Sequence, residues 1–302
     1  MEPYHTLYWD ISGKCNAACK YCPSGSRNLL GSVHKSQAGF LSPKDFSNGL
    51  LYLNSIGVIS NNPTRGTHVG LYSWGEPFLH PNFEEMMDIV SDLGFKYSLS
   101  TNASTPKEIP RLALLRLLEI KFSMPGFSQE SYDRQHGFDF ETICRNIIDI
   151  INSVRVFTPT VSFSLVFQMY ETNKHEVFAA KAFADRLGIR FELIAAHLTG
   201  FAMPKNGYPK PNEFMEKIFE KTREMQPEKW QCPQYDILVL DEFSNVVLCC
   251  ATERATPGYV IGNIKDVDFN NLREQRKRSP VCVECIQLGI GYLAHNVSVQ
   301  SF

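Results

Sequence analysis

The chain has 302 residues, of which 43% are hydrophobic, and a formal net charge of −2 at pH 7. These values are typical of a globular protein with one large domain, or with one large and one small domain. They include neither the basic excess that nucleic acid binding requires nor a run of the ~18 apolar residues needed for a membrane span.

Nine cysteines stand out in this composition. The first residues, Met1 to His5, do not have the pattern of a signal peptide. We therefore expect a cytoplasmic protein that has neither nucleic acid nor membrane as a partner. In that compartment the cysteines indicate metal binding or chemistry rather than disulfides.

Apolar stretches of strand length alternate with amphipathic stretches of helix length from the N-terminus onward. The predicted strands are Thr6–Ile11, His68–Ser73, Lys96–Ser100, Ile120–Ser123, Thr160–Phe167 and Arg190–Ala195. The predicted helices are Pro43–Ser55, Asn82–Leu93, Pro106–Leu118, Phe140–Val154 and Lys174–Leu187. Such alternation forms a parallel sheet, and right-handed crossovers curl it into an open barrel. We predict an α/β fold, a partial (β/α)6 TIM-like barrel with its site at the C-terminal ends of the strands.

Cys15, Cys19 and Cys22 follow the first predicted strand with the spacing C-x3-C-x2-C. Three thiolates on a [4Fe–4S] cube leave one iron without a protein ligand. A zinc knuckle would need four ligands, and the nearest further candidate, His34, is poorly placed. The motif resembles the cluster motif of the radical S-adenosylmethionine (SAM) superfamily. The resemblance implies a [4Fe–4S] cluster on these cysteines, with SAM as a cofactor on the open iron.

The next two strand ends carry residues in the places of the superfamily's SAM contacts. Gly75 and Glu76 resemble the Gly-Gly-Glu motif, whose carboxylate binds the SAM ammonium group, although Trp74 replaces the first glycine. After the third strand, Ser100 and Asn102 hold the place of side chains that reach the ribose. The alternative for Ser100 and Asn102 is an Asx turn or a helix cap.

Three further SAM contacts are implied by the same resemblance. Tyr21 occupies the position of a ring beside the cofactor, or else packs within the loop. Ser123 matches the serine of a Ser-Ile-Asp-Gly segment in which Pro125 replaces the aspartate. Arg134 or His136 would meet the SAM carboxylate, and Arg134 is better suited because its charge is permanent.

A second set of cysteines begins at Cys232 and continues with Cys249, Cys250, Cys282 and Cys285. A predicted hairpin over Tyr235–Leu248 ends beside the middle two. The layout resembles the twitch form of the SPASM auxiliary-cluster domain, which implies a second [4Fe–4S] cluster. The same ligands would also suit a zinc ribbon. The resemblance divides the chain into a radical SAM barrel at 1–205, a linker and helix at 206–230, and a small auxiliary-cluster domain at 231–302.

The second cluster needs only one of Cys249 and Cys250, because adjacent residues in a strand face opposite sides. The distance from the turn favours Cys249 as the ligand. The remaining thiol is either packed or faces the substrate as a hydrogen-atom donor. Cys144, within a helical apolar pattern, is predicted to be a buried thiol.

The resemblance implies that a donor such as flavodoxin or ferredoxin reduces the first cluster, and that SAM then yields a 5′-deoxyadenosyl radical. We expect this radical to abstract a C–H hydrogen and start the oxidation (dehydrogenation) of a small polar substrate, such as a sugar or aminocyclitol. The alternative is a radical epimerase of a sugar, aminoglycoside or peptide that uses Cys249 or Cys250 as donor. A non-catalytic iron–sulfur sensor is a further alternative, but it would not need Gly75, Glu76, Asn102 and Ser123 at successive strand ends.

Overall fold

The computed structural model describes residues 2–19, 22, 24–25, 28, 38–170, 172–195, 213–252 and 258–296. Within these ranges the strands are β1 (Thr6–Trp9), β2 (His68–Gly70), β3 (Lys96–Thr101), β4 (Leu117–Met124), β5 (Ser162–Met169), β6 (Arg190–Ala195), β7 (Ile237–Leu240), β8 (Asn245–Val247) and β9 (Val260–Asn263). They form one sheet in the order β6-β5-β4-β3-β2-β1-β7-β8-β9.

The sheet is parallel from β6 through β1 to β7. Thr6 of β1 is paired with His68 of β2 on one side and with Ile237 of β7 on the other. β8 and β9 extend the sheet in antiparallel fashion beyond β7. The described strands do not close this sheet into a ring by hydrogen bonds. Parallel strands alternating with helices in an open sheet confirm the predicted α/β fold, a partial TIM-like barrel.

The α-helices are α1 (Pro43–Ser55), α2 (Phe83–Asp92), α3 (Gln129–Gln135), α4 (Phe140–Phe157), α5 (Val177–Leu187), α6 (Glu213–Met225), α7 (Leu272–Arg278), α8 (Pro280–Gln287) and α9 (Ile290–Asn296). Side chains alternate between the two faces of each strand. One face carries core residues such as Leu7, Phe122 and Leu165, which belong to the same buried cluster as Phe46 of α1 and Ile147 of α4. Among the described helices, none is long and apolar enough to cross a membrane.

The helix predicted over Pro106–Leu118 is wrong. The structure has a short 3-10 helix at Ala113–Arg116, and β4 begins at Leu117. Pro106 and Pro110 lack the N–H groups that an α-helix needs. Leu112 is 73% and Leu115 is 70% accessible, whereas Leu114 and Leu117 are buried, so only part of this apolar stretch packs on the core.

The predicted C-terminal hairpin is present as β7 and β8, joined by a tight turn. The carboxylate of Asp241 accepts the N–H groups of Phe243 and Asn245 at 2.9 and 2.8 Å. Ser244 has a φ of 63°, a left-handed conformation that glycine usually supplies. Ser244 therefore occupies the turn in place of the missing glycine.

Helix α1 approaches the sheet very closely at Gly49. A Cβ atom there would lie 2.4 Å from Cη2 of Trp9. Trp9 is fully buried, and its indole N–H donates to the carbonyl of Asp241 at 3.1 Å. The ring also meets Phe46 edge to face, so it cannot move without losing these contacts.

We expect Gly49→Ala to destabilise the protein by about 1–3 kcal/mol through this overlap, although glycine to alanine in an open helix is stabilising by ~1 kcal/mol. Urea denaturation measures the change. The control is Asn48→Ala, at the exposed neighbouring position of α1, which should stay within about 0.5 kcal/mol of wild type. A Gly49→Ala protein that is more stable than wild type would contradict this packing.

His136, at the C-terminal end of α3, is buried against the rings of Tyr132 and Phe138. Its Nδ1 atom has no hydrogen-bond partner. Burial lowers the pKa of the imidazole to about 3. The unfolded chain therefore binds a proton at this position more readily than the folded chain does.

Because the folded pKa of His136 is depressed, its contribution to stability is complete above about pH 6.5 and is lost as the pH falls. When the pH falls from 6.5 to 5, we expect the free energy of unfolding of wild type to drop by about 2 kcal/mol more than that of His136→Phe. Urea denaturation at a series of pH values gives the slopes, with the exposed His175→Gln as control. Identical slopes for His136→Phe and wild type would show that this imidazole is not buried in neutral form.

Candidate active site

A cavity of about 430 Å³ lies at the C-terminal ends of β1 to β6. The residues of the sequence-predicted site that line it are Cys15, Cys19, Cys22, Gly75, Glu76, Ser100, Asn102, Ser123 and Cys250. The fold thus brings residues from the cysteine motif, three strand ends and the second cysteine set to one place.

The cysteine motif lies in a tight loop after β1. Asn28 donates its side-chain N–H groups to the carbonyls of Cys15 and Ala17 at 2.7 and 2.6 Å. The N–H of Cys22 donates to the carbonyl of Cys19 at 3.1 Å. A Cβ atom at Gly25 would lie 2.2 Å from that same carbonyl oxygen. Only glycine therefore allows the chain to return over the loop.

The thiols of this loop are half-buried and close enough to influence one another's pKa. Burial raises the pKa of Cys15 to about 12, and the neighbouring Glu76 and Cys22 add to the rise. Burial, followed by Cys22 and Cys15, raises the pKa of Cys19 well above its usual value. Such thiols ionise readily only when a metal cation supplies the compensating charge.

Three thiols are a donor set that an iron–sulfur cluster with one open iron takes. A single zinc needs its ligands at ~2.0–2.3 Å, whereas a four-iron cube keeps its cysteine sulfurs farther apart because each binds a different iron. Three cysteines facing one cavity fit a cube with one open iron.

The Gly75-Glu76 segment packs directly on the cysteine loop. A Cβ atom at Gly75 would lie 1.4 Å from the carbonyl oxygen of Ser12, so only glycine fits. The N–H of Glu76 donates to the carbonyl of Lys14 at 2.8 Å. The buried carboxylate of Asp10 accepts the N–H groups of Trp74 and Gly75 at 2.9 and 3.3 Å.

The carboxylate of Glu76 is only 2% exposed but lines the cavity. It accepts the Thr101 hydroxyl at 2.7 Å, the Phe78 N–H at 3.1 Å and the Asn102 N–H at 2.7 Å. Burial raises the pKa of Glu76 to about 7, against these three bonds, which lower it. A carboxylate has about four acceptor positions, so one is left for a donor in the cavity, and a cation there favours the ionised form.

Asn102 forms the Asx turn that was one interpretation of its position, and it also lines the cavity. Its carbonyl oxygen accepts the N–H of Ser104 at 2.9 Å, as in an Asx turn. Its amide nitrogen donates to Asn16 at 3.0 Å and lies 3.8 Å from the sulfur of Cys15. Ser123 accepts a hydrogen bond from Gln168 at 2.7 Å in the same cavity.

Arg134, a predicted SAM contact, does not line the cavity. Arg134 is half exposed and forms an ion pair with Glu130 on its own helix, while His136 lines the cavity. Tyr21 lies outside the described residues.

The cavity also holds Lys121 and the phenols of Tyr8 and Tyr72, which the sequence did not single out. Lys121 of β4 and Glu192 of β6 form an ion pair at 3.3 Å, and the rings of Tyr8 and Tyr72 are in contact at 5.3 Å. The signal was present in β4, where Glu119, Lys121 and Ser123 alternate with apolar residues.

The two adjacent cysteines of the second set have different surroundings. The charges of Cys249 and Cys232 add to burial in raising the pKa of Cys282 and of Cys285, each to about 12. Cys250 instead lines the cavity, and its S–H donates to the side-chain oxygen of Gln234 at 3.3 Å. Burial, together with the charges of Cys249 and Cys232, also raises the pKa of Cys250 to about 12. Cys250 is the one of the pair that lines the cavity, while Cys249 as the ligand stays a prediction.

The curated relatives that the chain matches are mycofactocin maturases. MftC of Mycobacterium tuberculosis is 27% identical over 133 residues, 43% of this chain and 30% of the relative. MftC of Mycobacterium ulcerans is 24% identical over 196 residues, 64% of this chain and 48% of the relative. The chain thus spans less than half the length of these relatives. No family model matches it.

Solved structures match the chain over nearly its whole length. BtrN in complex with AdoMet and 2-DOIA has a TM-score of 0.53 and 14% identity, and the match covers 99% of this chain and 96% of BtrN. anSMEcpe with bound AdoMet has a TM-score of 0.58 and 15% identity, and the match covers 98% of this chain and 85% of anSMEcpe. SuiB of Streptococcus suis, bound to precursor peptide SuiA, has a TM-score of 0.57 and 12% identity, and the match covers 96% of this chain and 71% of SuiB. These neighbours are radical SAM enzymes, and the chain has their fold, as its cysteine motif predicts.

Proposed function

We propose that the protein is a radical SAM enzyme that acts on a small polar substrate, and that Cys250 returns a hydrogen atom to that substrate, so that the net reaction is epimerisation. The observation that carries this proposal is the single cavity shared by the three-cysteine loop, Glu76 and Cys250.

The cysteine loop and Glu76 would hold the cofactors. Cys15, Cys19 and Cys22 would bind a [4Fe–4S] cluster through three irons, and the free acceptor position of Glu76 would take the SAM ammonium group. Bound together and reduced, these cofactors supply a 5′-deoxyadenosyl radical that abstracts hydrogen from a C–H bond. The protein would orient the substrate in the cavity beside Ser100, Asn102 and Ser123.

The charged and phenolic side chains of the cavity suit a substrate rich in hydroxyl and amino groups. Lys121 and Glu192 present a cation and an anion side by side, and Gln168 and the phenols of Tyr8 and Tyr72 line the same space. These groups donate and accept hydrogen bonds as a sugar or aminocyclitol requires. A peptide is the other candidate substrate class, because MftC is named a maturase and the structure of SuiB contains the precursor peptide SuiA.

Cys250 would end the reaction. Its S–H bond breaks as a C–H bond forms at the substrate radical, which leaves a sulfur-centred radical on Cys250. One electron and one proton from an external reductant, such as a flavodoxin or ferredoxin, restore the thiol. Return of hydrogen to the opposite face of the carbon inverts its configuration.

Oxidation is the second candidate, and two observations favour it. Cys232, Cys249, Cys282 and Cys285 lie close enough to perturb one another's pKa, as ligands of a second cluster would. The carboxylate of Glu192 lines the cavity and would accept a proton from a substrate hydroxyl as the substrate loses its second electron.

The test is anaerobic incubation of the reconstituted protein with SAM, dithionite and a panel of aminocyclitols, amino sugars and peptides in D2O. We expect 5′-deoxyadenosine and an isomer of one substrate that carries one solvent deuterium. Cys250→Ala should form 5′-deoxyadenosine but at least about 100-fold less isomer, as removal of a catalytic hydrogen donor does. The control Cys144→Ala alters a half-buried thiol that packs against the core and should leave the isomer yield unchanged.

A product two hydrogens lighter than its substrate, formed equally by wild type and Cys250→Ala, would establish oxidation in place of epimerisation. An iron-loaded protein that forms no 5′-deoxyadenosine with any member of the panel would favour the sensor.

Glu76→Gln tests the cofactor position separately. We expect SAM affinity to fall by roughly 10- to 100-fold, because a charge-assisted hydrogen bond contributes about 1.5–3 kcal/mol. Equilibrium dialysis with SAM measures it, at an iron content equal to that of wild type. Glu84→Gln, at an exposed position of α2, is the control, and equal affinities for Glu76→Gln and wild type would remove Glu76 from the SAM site.

A further inference from the structure

Arg276 of α7 is the most deeply buried cation among the described residues, with 0% of its surface exposed. One terminal nitrogen donates to the carbonyls of Ile237 and Gln234 at 2.6 and 3.3 Å. The other donates to the carbonyl of Val247 at 2.9 Å. The remaining donor, Nε, is buried and has no hydrogen-bond partner.

No carboxylate neutralises this guanidinium in the part of the chain that the structure describes. The acidic groups that act on its charge are the phenol of Tyr4 and the thiols of Cys249 and Cys282, while Arg273 opposes it. Backbone carbonyls are neutral acceptors. A buried charge without a counter-ion costs several kcal/mol, and arginine does not escape this cost by losing its proton.

The neighbouring cysteines are the available source of negative charge. As free thiols they are neutral and offer the guanidinium no full counter-charge. On a metal centre the same cysteines are thiolates. Four thiolates around an iron–sulfur cube leave the whole centre with a net negative charge.

We propose that Arg276 is the counter-charge of an anionic iron–sulfur cluster held by Cys232, Cys249, Cys282 and Cys285, and that it raises the reduction potential of this cluster. Reduction adds an electron to a centre that is already negative. A buried cation beside the sulfurs stabilises the reduced form more than the oxidised form. The inference rests on the second cluster of the proposed function but not on SAM cleavage.

The carbonyl bonds of Arg276 also have a structural effect, which the experiment must separate from charge. Gln234 lies two residues after Cys232, and Val247 lies two residues before Cys249. The guanidinium therefore joins both segments to α7, the helix that precedes Cys282. A purely structural role would depend on these bonds and not on the sign of the charge.

The experiment uses the full chain with Cys15, Cys19 and Cys22 changed to alanine, so that only the second set can bind iron. Arg276→Gln removes the charge but keeps a hydrogen-bond donor, and Arg276→Lys keeps the charge with fewer donors. Arg278→Gln, at an exposed position of the same helix, is the matched control because solvent screens its charge. After anaerobic reconstitution, iron and zinc per chain are measured, and the potential is titrated by electron paramagnetic resonance.

We expect about four irons per chain when Arg276 is unchanged. Arg276→Gln should lower the equilibrium constant for one-electron reduction at least tenfold, a shift of about 59 mV to more negative potential. Arg276→Lys and Arg278→Gln should stay near the unchanged chain. Loss of iron from Arg276→Gln alone, with Arg276→Lys loaded at the unchanged potential, supports the same conclusion.

Equal potentials in Arg276→Gln and Arg276→Lys would overturn the proposal, as would loss of iron from both variants while they remain folded. Zinc in place of iron, or no metal, in the chain with Arg276 would also overturn it. Those results would leave the radical chemistry standing if wild type still forms 5′-deoxyadenosine, so the two failures are distinguishable.

Discussion

The cysteine loop crosses the end of β2 at Gly75, where a Cβ atom would lie 1.4 Å from the carbonyl oxygen of Ser12. Asp10 accepts the N–H groups on one side of this crossing, and Lys14 accepts that of Glu76 on the other. Because the two segments touch through backbone, the thiols of the loop and the carboxylate of Glu76 face one cavity. Asn102 completes the contact, since its backbone binds Glu76 and its side chain reaches toward Cys15.

Cys250 of the second cysteine set reaches the same cavity because β7 pairs in parallel with β1. Trp74 strengthens this junction. Its indole N–H donates to the carbonyl of Thr252 at 3.1 Å, and its ring packs against the cluster of Leu248 and Tyr259. The residue that departs from the superfamily's glycine motif thus connects the cofactor segment to the second cysteine set.

Local patterns of the sequence predicted most of the fold. The C-x3-C-x2-C spacing and the strand-end motifs were informative because each lies in one short segment. The alternation of side chains in a strand was the reason for separating Cys249 from Cys250, but β8 ends at Val247 and both cysteines follow it. Cys250 lines the cavity, and Cys249 as the cluster ligand stays a prediction.

The remaining features depend on contacts between segments far apart in the chain. Lys121 and Glu192 meet only when β4 and β6 curl toward each other, and Arg276 is buried only when α7 packs on the hairpin. The false helix at Pro106–Leu118 arose because leucine spacing was given more weight than two prolines that remove backbone donors. Arg134 shows the reverse, since its i,i+4 partner Glu130 was visible in the sequence and pairs with it in the structure.

The central claim is that the three-cysteine loop and Glu76 form a working SAM-cleaving site. Its most direct test is the amount of 5′-deoxyadenosine that the reconstituted chain forms from SAM and dithionite, compared with a Cys15→Ala chain that retains the second cysteine set. We expect wild type to form 5′-deoxyadenosine and Cys15→Ala to form none above background. Equal amounts from both chains, or none from an iron-loaded wild type, would contradict it.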